Sequence, residues 1–347
     1  MNYHPRIVDV ELSERLKGSG AIVIEGPRAC GKTSTARQIA ASEVLLDVDE
    51  NVRRAIAVDP ALVLEGASPR LIDEWQVEPV IWNHIRRAID DRQSYGQFIL
   101  TGSAVPTDDI TRHPGAGRLA RLRMRPMSLY ETGHSTGDIS LKNLLDGVPT
   151  RANDPGLSVT DLAERVAVGG WPGNLNRSVQ QSLQAVRDYL DEIRRVDMAR
   201  IDQSRRDTEK VGRFIQSLAR NVTTYAAATT LVADAGANGG PESDDTVREY
   251  LAAMERLMVV EDQPAWAPHL RSRSVLRTGA KRHFVDPSLA VAALSATPDR
   301  LLNDLEFFGL LFESLVVRDL RIYAQACDAR VLQYRDNTDL EVDAIVE

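Results

Sequence analysis

Apolar and polar positions alternate in blocks through the first hundred residues. "AIVIE" (21–25) is a continuous β-branched run that ends at a glycine, the pattern of a buried parallel strand. Residues 32–42 follow as a helix. "EVLLDVD" (43–49) predicts a second strand, and "PRLIDEWQ" (69–76) holds a third that ends on two acids. "QFILTGS" (97–103) predicts a fourth, ending in a polar turn. In "PVIWNHIRRAIDD" (79–91), Val80, Ile81, His84, Ile85, Ala88 and Ile89 recur at spacings of one, three and four, which marks one face of a helix. Strand and helix alternate throughout, so the pattern predicts an open parallel α/β sheet.

From 104 to 180 the pattern is less regular. "TRHPGAGRLARLRMRP" is rich in arginine and glycine, and "GDISLKNLLDGVPTRANDPGLS" reads as loop with one short helix. From 181 the chain turns helical. Leu183, Val186, Leu190 and Ile193 recur at three and four, as do Val247, Tyr250, Leu251, Met254, Leu257 and Met258. Glycine-rich "DAGANGGPESDD" (234–245) separates two helical patterns. After about 305 comes one more helix, then "ARVLQYRDNTDLEVDAIVE", two strands joined by a polar turn. No internal repeat is visible.

Composition adds limits. The 347 residues suffice for two or three domains. Hydrophobic residues at 43% and charged residues at 27% are ordinary for a globular protein, and 5% aromatics imply aliphatic cores. A net charge of -8 argues against an overall basic coat but leaves room for a local basic face. The two cysteines, Cys30 and Cys327, form no disulfide framework or metal motif. The charged N-terminus is not a signal peptide, and no apolar run approaches a membrane span. A reduced, cytoplasmic protein without membrane partners is expected.

The chemistry starts at "GPRACGKTS". Gly26, Pro27, Arg28, Ala29, Cys30, Gly31, Lys32, Thr33 and Ser34 fit G-x-x-x-x-G-K-[ST] between a predicted strand and a predicted helix. Glycines let the backbone turn its N–H groups toward phosphate oxygens, and the following helix adds its positive end. Lys32 is expected on the β- and γ-phosphates of ATP, with Thr33 as a magnesium ligand. Asp73, at the tip of a buried strand, is the expected second magnesium contact. Glu74 follows it, placed to orient and deprotonate water. The Asp-Glu pair suits an ATP hydrolase better than a small-molecule kinase, whose nucleophile is a substrate hydroxyl. A strand beside the first would bring Thr101 or Ser103 near the γ-phosphate, with Ser103 holding the water. Arg118, ahead of Arg121, Arg123 and Arg125, has two readings. It is either the arginine that stabilises transition-state charge, in cis or across a subunit contact, or part of a basic strand facing solvent or nucleic acid.

"GPRACGKT", "LIDEWQ", "FILTGSA" and "GRLARLRMRPMSLYE", in that order, resemble the prokaryotic AAA-type P-loop ATPases that carry a C-terminal domain of unknown function. "VGGWPGNL" (168–175), "YLDEIRRVDMARI" (189–201), "HFVDPSLAVAAL" (283–294) and "GLLFESLVVRDL" (309–320) resemble later landmarks of that family, so the likeness runs nearly the whole length. It implies an α/β P-loop NTPase core (1–130), a linker or lid (131–180), a mostly α winged-helix-like domain (181–300) and a partial α/β nuclease-like segment (301–347). Such proteins are linked broadly to DNA-associated or defence-type functions.

The C-terminal residues support parts of this picture. "RFIQSLARN", "YAAATTLVADAG" and "DDTVREYLAAMERLM" read as three helices, followed by two strands and a long wing. The third helix exposes a mixed set: Arg248, Glu249, Glu255 and Arg256. The wing is more basic, with Arg271, Arg273, Arg277, Lys281 and Arg282 and no acid in 271–282. It is read either as a phosphate-contacting surface or as part of a module that packs domains or subunits. By resemblance to PD-(D/E)XK nucleases, Glu313 and Asp343 would bind magnesium, with Glu341 and Glu347 nearby. The E-x-K that completes such a site would fall after residue 347. This chain is therefore expected to lack the lysine and to have no nuclease activity.

Three functional readings follow. One is a magnesium-dependent ATPase coupling nucleotide state to DNA or a protein partner, as a monomer, dimer or ring. The second is a DNA-binding regulator with a slow nucleotide switch. The third, a P-loop kinase, is disfavoured by Glu74 and by the long C-terminal half.

Overall fold

The computed structural model describes residues 3–102, 115–154, 156–198, 207–236, 239–241, 243–267, 279–336 and 340–347. The chain divides into two compact units, Met1–Arg125 and Pro126–Glu347.

In the first unit, β1 (Ala21–Glu25), β2 (Ser42–Leu45), β3 (Arg70–Asp73), β4 (Phe98–Gly102) and β5 (Leu119–Arg123) form one sheet in the order β2-β3-β4-β1-β5. All neighbours are parallel. The sheet is apolar on both faces, which is why its strands read as continuous runs. Ala21, Val23, Ile72, Phe98 and Leu100 pack on one face with Ile81, Trp82, Ile85 and Ile89 of helix α4 (Ile81–Arg92). Ile22, Ile24, Leu71 and Ile99 pack on the other with Val8, Leu12 and Leu16 of α1 (Val8–Leu16). Residues next to each other along β1 thus serve opposite cores, as the two-residue period of a strand requires.

The remaining elements differ from the sequence pattern in places. Helix α2 (Lys32–Arg37) ends earlier than residue 42. Strand β2 stops at Leu45, because Asp49 caps a helix, α3 (Glu50–Val58), by accepting from the Asn51 and Val52 amides. Strand β5 arises inside the irregular arginine-rich stretch. It lies at the sheet edge and fully buries only Leu122, so it lacks the apolar run of the inner strands.

The second unit is mostly helical. Helices α5 (Leu141–Leu145), α6 (Val159–Val168) and α7 (Val179–Glu192) come first. Capping boxes at Ser158/Asp161 and Ser178/Gln181 start α6 and α7. Then come α8 (Thr208–Arg220), α9 (Ala228–Gly236) and α10 (Asp244–Arg256), followed by an antiparallel pair, β6 (Val260–Gln263) and β7 (Lys281–Phe284). Helices α11 (Ser288–Ala293), α12 (Pro298–Leu302) and the long α13 (Leu305–Gln325) lead to an antiparallel hairpin of β8 (Val331–Arg335) and β9 (Glu341–Val346). No helix among the described residues is long and apolar enough to cross a membrane.

A buried ionic hub joins four segments of this unit. Arg318 on α13 donates from Nη1 to Asp286 at 2.7 Å and from Nε to Asp319 at 2.8 Å. Asp286 also accepts from the Gly170 amide and the Ser288 hydroxyl, and Ser288 Oγ accepts from Trp171 Nε1. Asp319 accepts from the Leu129 amide at 2.8 Å. The stretches "MSLYE", "GGWPG", "FVDPS" and "VVRDL" therefore meet at one guanidinium. The two glycines are required by space. A Cβ at Gly169 would lie 2.4 Å from Asp286 Oδ1, and one at Gly170 would lie 2.0 Å from the Met127 carbonyl. The two acids hold Arg318 protonated, and its planar fork serves both at once. Removing one member of a buried ionic group strands the others, at about 3–5 kcal/mol. Arg318→Met is expected to lower unfolding stability by about that amount, measured by urea denaturation. A loss within experimental error would show that the hub does not hold this unit together.

Candidate functional site

The parallel sheet brings the C-terminal ends of β1, β3 and β4 to one edge. Gly26, just after β1, has no room for a side chain, since a Cβ would lie 2.2 Å from the Met124 carbonyl. Gly31, at φ 106°, turns the loop into α2. Lys32 is buried, and its Nζ donates to the carbonyls of Gly26 and Pro27 at 2.9 and 2.8 Å. Helix α2 has only six residues, so the loop's amides and Lys32 supply most of the positive character. Arg28 and Ala29 are exposed on the loop, and Ser34 is exposed in the first turn of α2. Thr33 Oγ1 donates to Asp73 Oδ1 at 2.8 Å.

Strand β4 lies between β1 and β3, and this decides the next contact. The register sets Ile24 beside Thr101 and Ile72 beside Leu100, so Thr101 stands between the loop strand and Asp73. The Thr101 hydroxyl donates to the same oxygen of Asp73 as Thr33 does. Asp73, 8% exposed, is thus the point where three strand ends converge. Thr101 stood beside Ser103 as a sequence alternative; Ser103 lies outside the described residues.

Glu74 follows in left-handed conformation, at φ 53° and ψ 45°. Its carboxylate accepts from Gln76 Nε2, while Gln76 Oε1 is buried without a hydrogen-bond partner. Trp75 anchors this turn in the core by stacking on Trp82 at 4.9 Å. Gly102 makes room for it, since a Cβ there would come within 2.5 Å of Gln76 Oε1. Sequence reasoning missed the role of Gln76, although it sits in the quoted "LIDEWQ". It also missed Arg6, whose guanidinium donates to the carbonyls of Cys30 and Arg125 at 2.9 and 2.8 Å and so braces the back of the loop. Tyr3 adds a hydroxyl contact to Thr35 at 2.9 Å. Burial and the neighbouring Asp9 push the Tyr3 phenol well above its ordinary range. These two residues come before the first helix, where no periodicity signals them.

Other expected residues are placed differently. Arg118 does not reach this edge in cis. It precedes β5, and its carbonyl accepts from the Ala21 amide, which sets it at the N-terminal edge of the sheet. Five residues of strand, roughly 16 Å, separate that edge from the loop. Its guanidinium is held by Asp90 of α4. Of its neighbours, Arg121 pairs with Glu25, and Arg123 stands level with Glu25 at the loop end of the strand. In the basic segment, Arg271, Arg273 and Arg277 lie outside the described residues. Lys281 does not face a phosphate backbone. It is 2% exposed, and its Nζ lies 2.9 Å from Glu313 and 2.8 Å from Asp343. Arg282 is half-buried and donates to the Ala226 carbonyl, with Asp262 at 3.8 Å. The two candidate nuclease carboxylates thus do meet, and a lysine meets them, supplied by β7 and not by a later strand.

Among the described residues no group of three histidine, cysteine or acidic side chains is arranged to hold a metal ion. At the loop, the donor set is two hydroxyls and one carboxylate. That is hard-cation chemistry of the kind magnesium completes with substrate phosphates and water, and the residues present fit it.

Residues 18–133 match the family model of an AAA domain. The first unit is thus similar to P-loop domains of the AAA type over these residues. Residues 159–300 match a domain of unknown function, DUF8612. Neither model spans half of the chain. No curated protein matches it. Among solved structures, the Walker-type ATPase PABY2304 of Pyrococcus abyssi is similar in fold, with a TM-score of 0.51 at 12% identity, covering 84% of this chain and 96% of that one. The Aeropyrum pernix ORC1 protein, solved in complex with DNA, covers 86% of this chain and 94% of its own at 15% identity. Its TM-score of 0.29 is too low to support an argument.

The fold also settles the state of Cys30. The sequence places its thiol in the loop, where alkylation would crowd the cradle. In the structure it is 0% exposed, with Sγ turned toward the Met124 carbonyl. Cys327 is partly exposed. A thiol reagent such as DTNB is expected to titrate at most one cysteine in the native protein and two after denaturation. Rapid native reaction of Cys30 would mean that the loop opens readily.

Proposed function

We propose that this protein binds and hydrolyses ATP in a magnesium-dependent reaction and couples nucleotide state to a partner of its second unit. The observation that carries this reading is the convergence of Thr33, Asp73 and Thr101 beside Lys32, within a unit similar to P-loop domains of the AAA type.

The residues divide the work by type. The loop amides and the Lys32 ammonium bind the phosphates, the lysine exchanging its two loop carbonyls for phosphate oxygens. The Thr33 hydroxyl and the Asp73 carboxylate hold magnesium, which supplies charge neutralisation on the phosphates when bound. Thr101 fixes the orientation of Asp73 by its hydrogen bond. Glu74 takes a proton from the attacking water, and Gln76 keeps its carboxylate in place. An arginine contribution to the transition state, if Arg118 makes one, comes only across a subunit contact.

Lys32→Ala is expected to abolish binding of a fluorescent ATP analogue. Glu74→Gln is expected to keep binding and lower phosphate release by about 100-fold or more, the usual scale of a general base. Wild-type turnover in Glu74→Gln would remove the catalytic role of that residue.

For DNA as the partner, the support is the acid-free segment containing Arg271, Arg273 and Arg277, after a run of three helices and before β7. Lys281 and Arg282 contribute no free charge to it. Reversing the three arginines to Glu is expected to weaken duplex DNA binding and to flatten its dependence on log salt concentration by about one per lost phosphate contact. An unchanged slope would exclude this segment and favour a protein partner.

A further inference from the structure

The second unit contains a cavity of about 100 Å³. That volume has room for several waters or for one small ion. Three arginines from separate places in the fold line it: Arg165 of α6, Arg177 of the turn before α7, and Arg318 of α13. Among the described residues no carboxylate lines it. Glu164 lies 3.3 Å from Arg165 Nη2 without reaching the cavity. Asp286 and Asp319 pair with Arg318 but do not line the cavity either, and each also accepts from a backbone amide. Val179, the first residue of α7, lines the same space, so the positive end of a 14-residue helix adds to its field.

The arginines are held in place and still have protons to give. Burial, and then the charge of Arg165, hold the His134 pKa below its ordinary value. The neutral ring accepts at Nε2 from Arg165 Nη1 at 3.1 Å, and Nδ1 donates to the Thr132 hydroxyl at 3.0 Å. Arg177 Nη1 donates to Asn174 Oδ1 at 3.0 Å. Asn174 is buried and fixed in turn, since its Nδ2 donates to the Val168 carbonyl at 2.9 Å. No carboxylate among the described residues pairs with Arg177. Arg318 is 3% exposed. Its Nε and Nη2 serve Asp319 and its Nη1 serves Asp286, which leaves one N–H on each terminal nitrogen without an acceptor among the described residues. A buried donor on the wall of a cavity calls for an acceptor inside it.

An occupant must therefore be small, negative and rich in acceptors. A carboxylate has two oxygens, too few for three guanidinium forks. A tetrahedral oxyanion offers an oxygen to each. We propose that this cavity binds a phosphate group, free or at the end of a small ester, through Arg165, Arg177 and Arg318. His134 and Asn174 orient two of the arginines beforehand, so the site is formed before its ligand arrives.

The test uses the full chain carrying Lys32→Ala. This takes the ammonium of the first unit's loop away from any phosphate, so the result does not depend on whether that loop binds ATP. Inorganic phosphate and phenyl phosphate are titrated separately by calorimetry at constant ionic strength. Binding is expected, weakened about tenfold or more by Arg177→Gln, the scale of one charged hydrogen-bond donor lost. It should vanish in Arg165→Gln/Arg177→Gln and stay unchanged in Arg54→Gln, an exposed arginine of α3. Tighter binding of inorganic phosphate supports the free anion as ligand, and tighter binding of phenyl phosphate an esterified one. Arg177 is exposed, so Arg177→Gln should melt with its parent, and it decides alone if the double variant does not fold. The proposal is overturned if neither probe binds at about 10 mM, if Arg177→Gln binds as its parent does, if Arg54→Gln weakens binding equally, or if acetate binds as tightly as either probe.

Discussion

Parallel pairing sends every strand of the first unit to the same edge, and the candidate site depends on that constraint. β1 delivers the loop, β3 delivers Asp73, and β4, inserted between them, delivers Thr101. An antiparallel neighbour would turn one of these ends to the opposite edge. Covering both faces with helices keeps the strands dry and sets the polar groups at their tips, where the backbone leaves the sheet. The same constraint excludes Arg118, which enters its strand at the other edge.

The second unit relies on buried cations. Arg318 and Lys281 each sit among carboxylates, and each joins elements far apart in sequence. The side chains suit their places. Two acids on Arg318 are served by a planar guanidinium fork, and three acids around Lys281 by an ammonium with three equivalent protons. Both sites cost desolvation, which hydrogen bonds offset: backbone and hydroxyl donors on Asp286 and Asp319, and the Gln263–His283–Ser314 chain behind Asp343. Specificity of assembly is the gain, since only the correct meeting of segments satisfies every group.

Much of the first unit was legible in the chain. "AIVIE", "RLID" and "FILTG" are runs that only doubly covered strands bury, and the α4 pattern has one apolar face. The phosphate loop and the acids after β3 were legible because their spacing is set by backbone geometry within one turn. Strand β5 was legible only as one of two readings of the basic stretch after Arg118, because an edge strand buries one face and can be arginine-rich on the other. Gln76 was not legible, because its bond to Glu74 depends on the left-handed turn of Glu74 after β3. Arg6 was not, because its partners are the carbonyls of Cys30 and Arg125, 24 and 119 positions away. Lys281 was misread for the same reason. In sequence it stands in an acid-free basic stretch, and its acids lie 32 to 62 positions away.

The sequence alone therefore determined what is local: the strand–loop–helix unit around Lys32, the periodicity of the helices and the chemical type of each candidate residue. Only the tertiary structure decided which charges meet. It brought Asp73 under two threonines, carried Arg118 to the far edge and closed three carboxylates over Lys281. The physical reason is range. Backbone preferences and side-chain periods act over a few residues, whereas an ion pair depends on where the folded elements place its partners, whatever their separation along the chain.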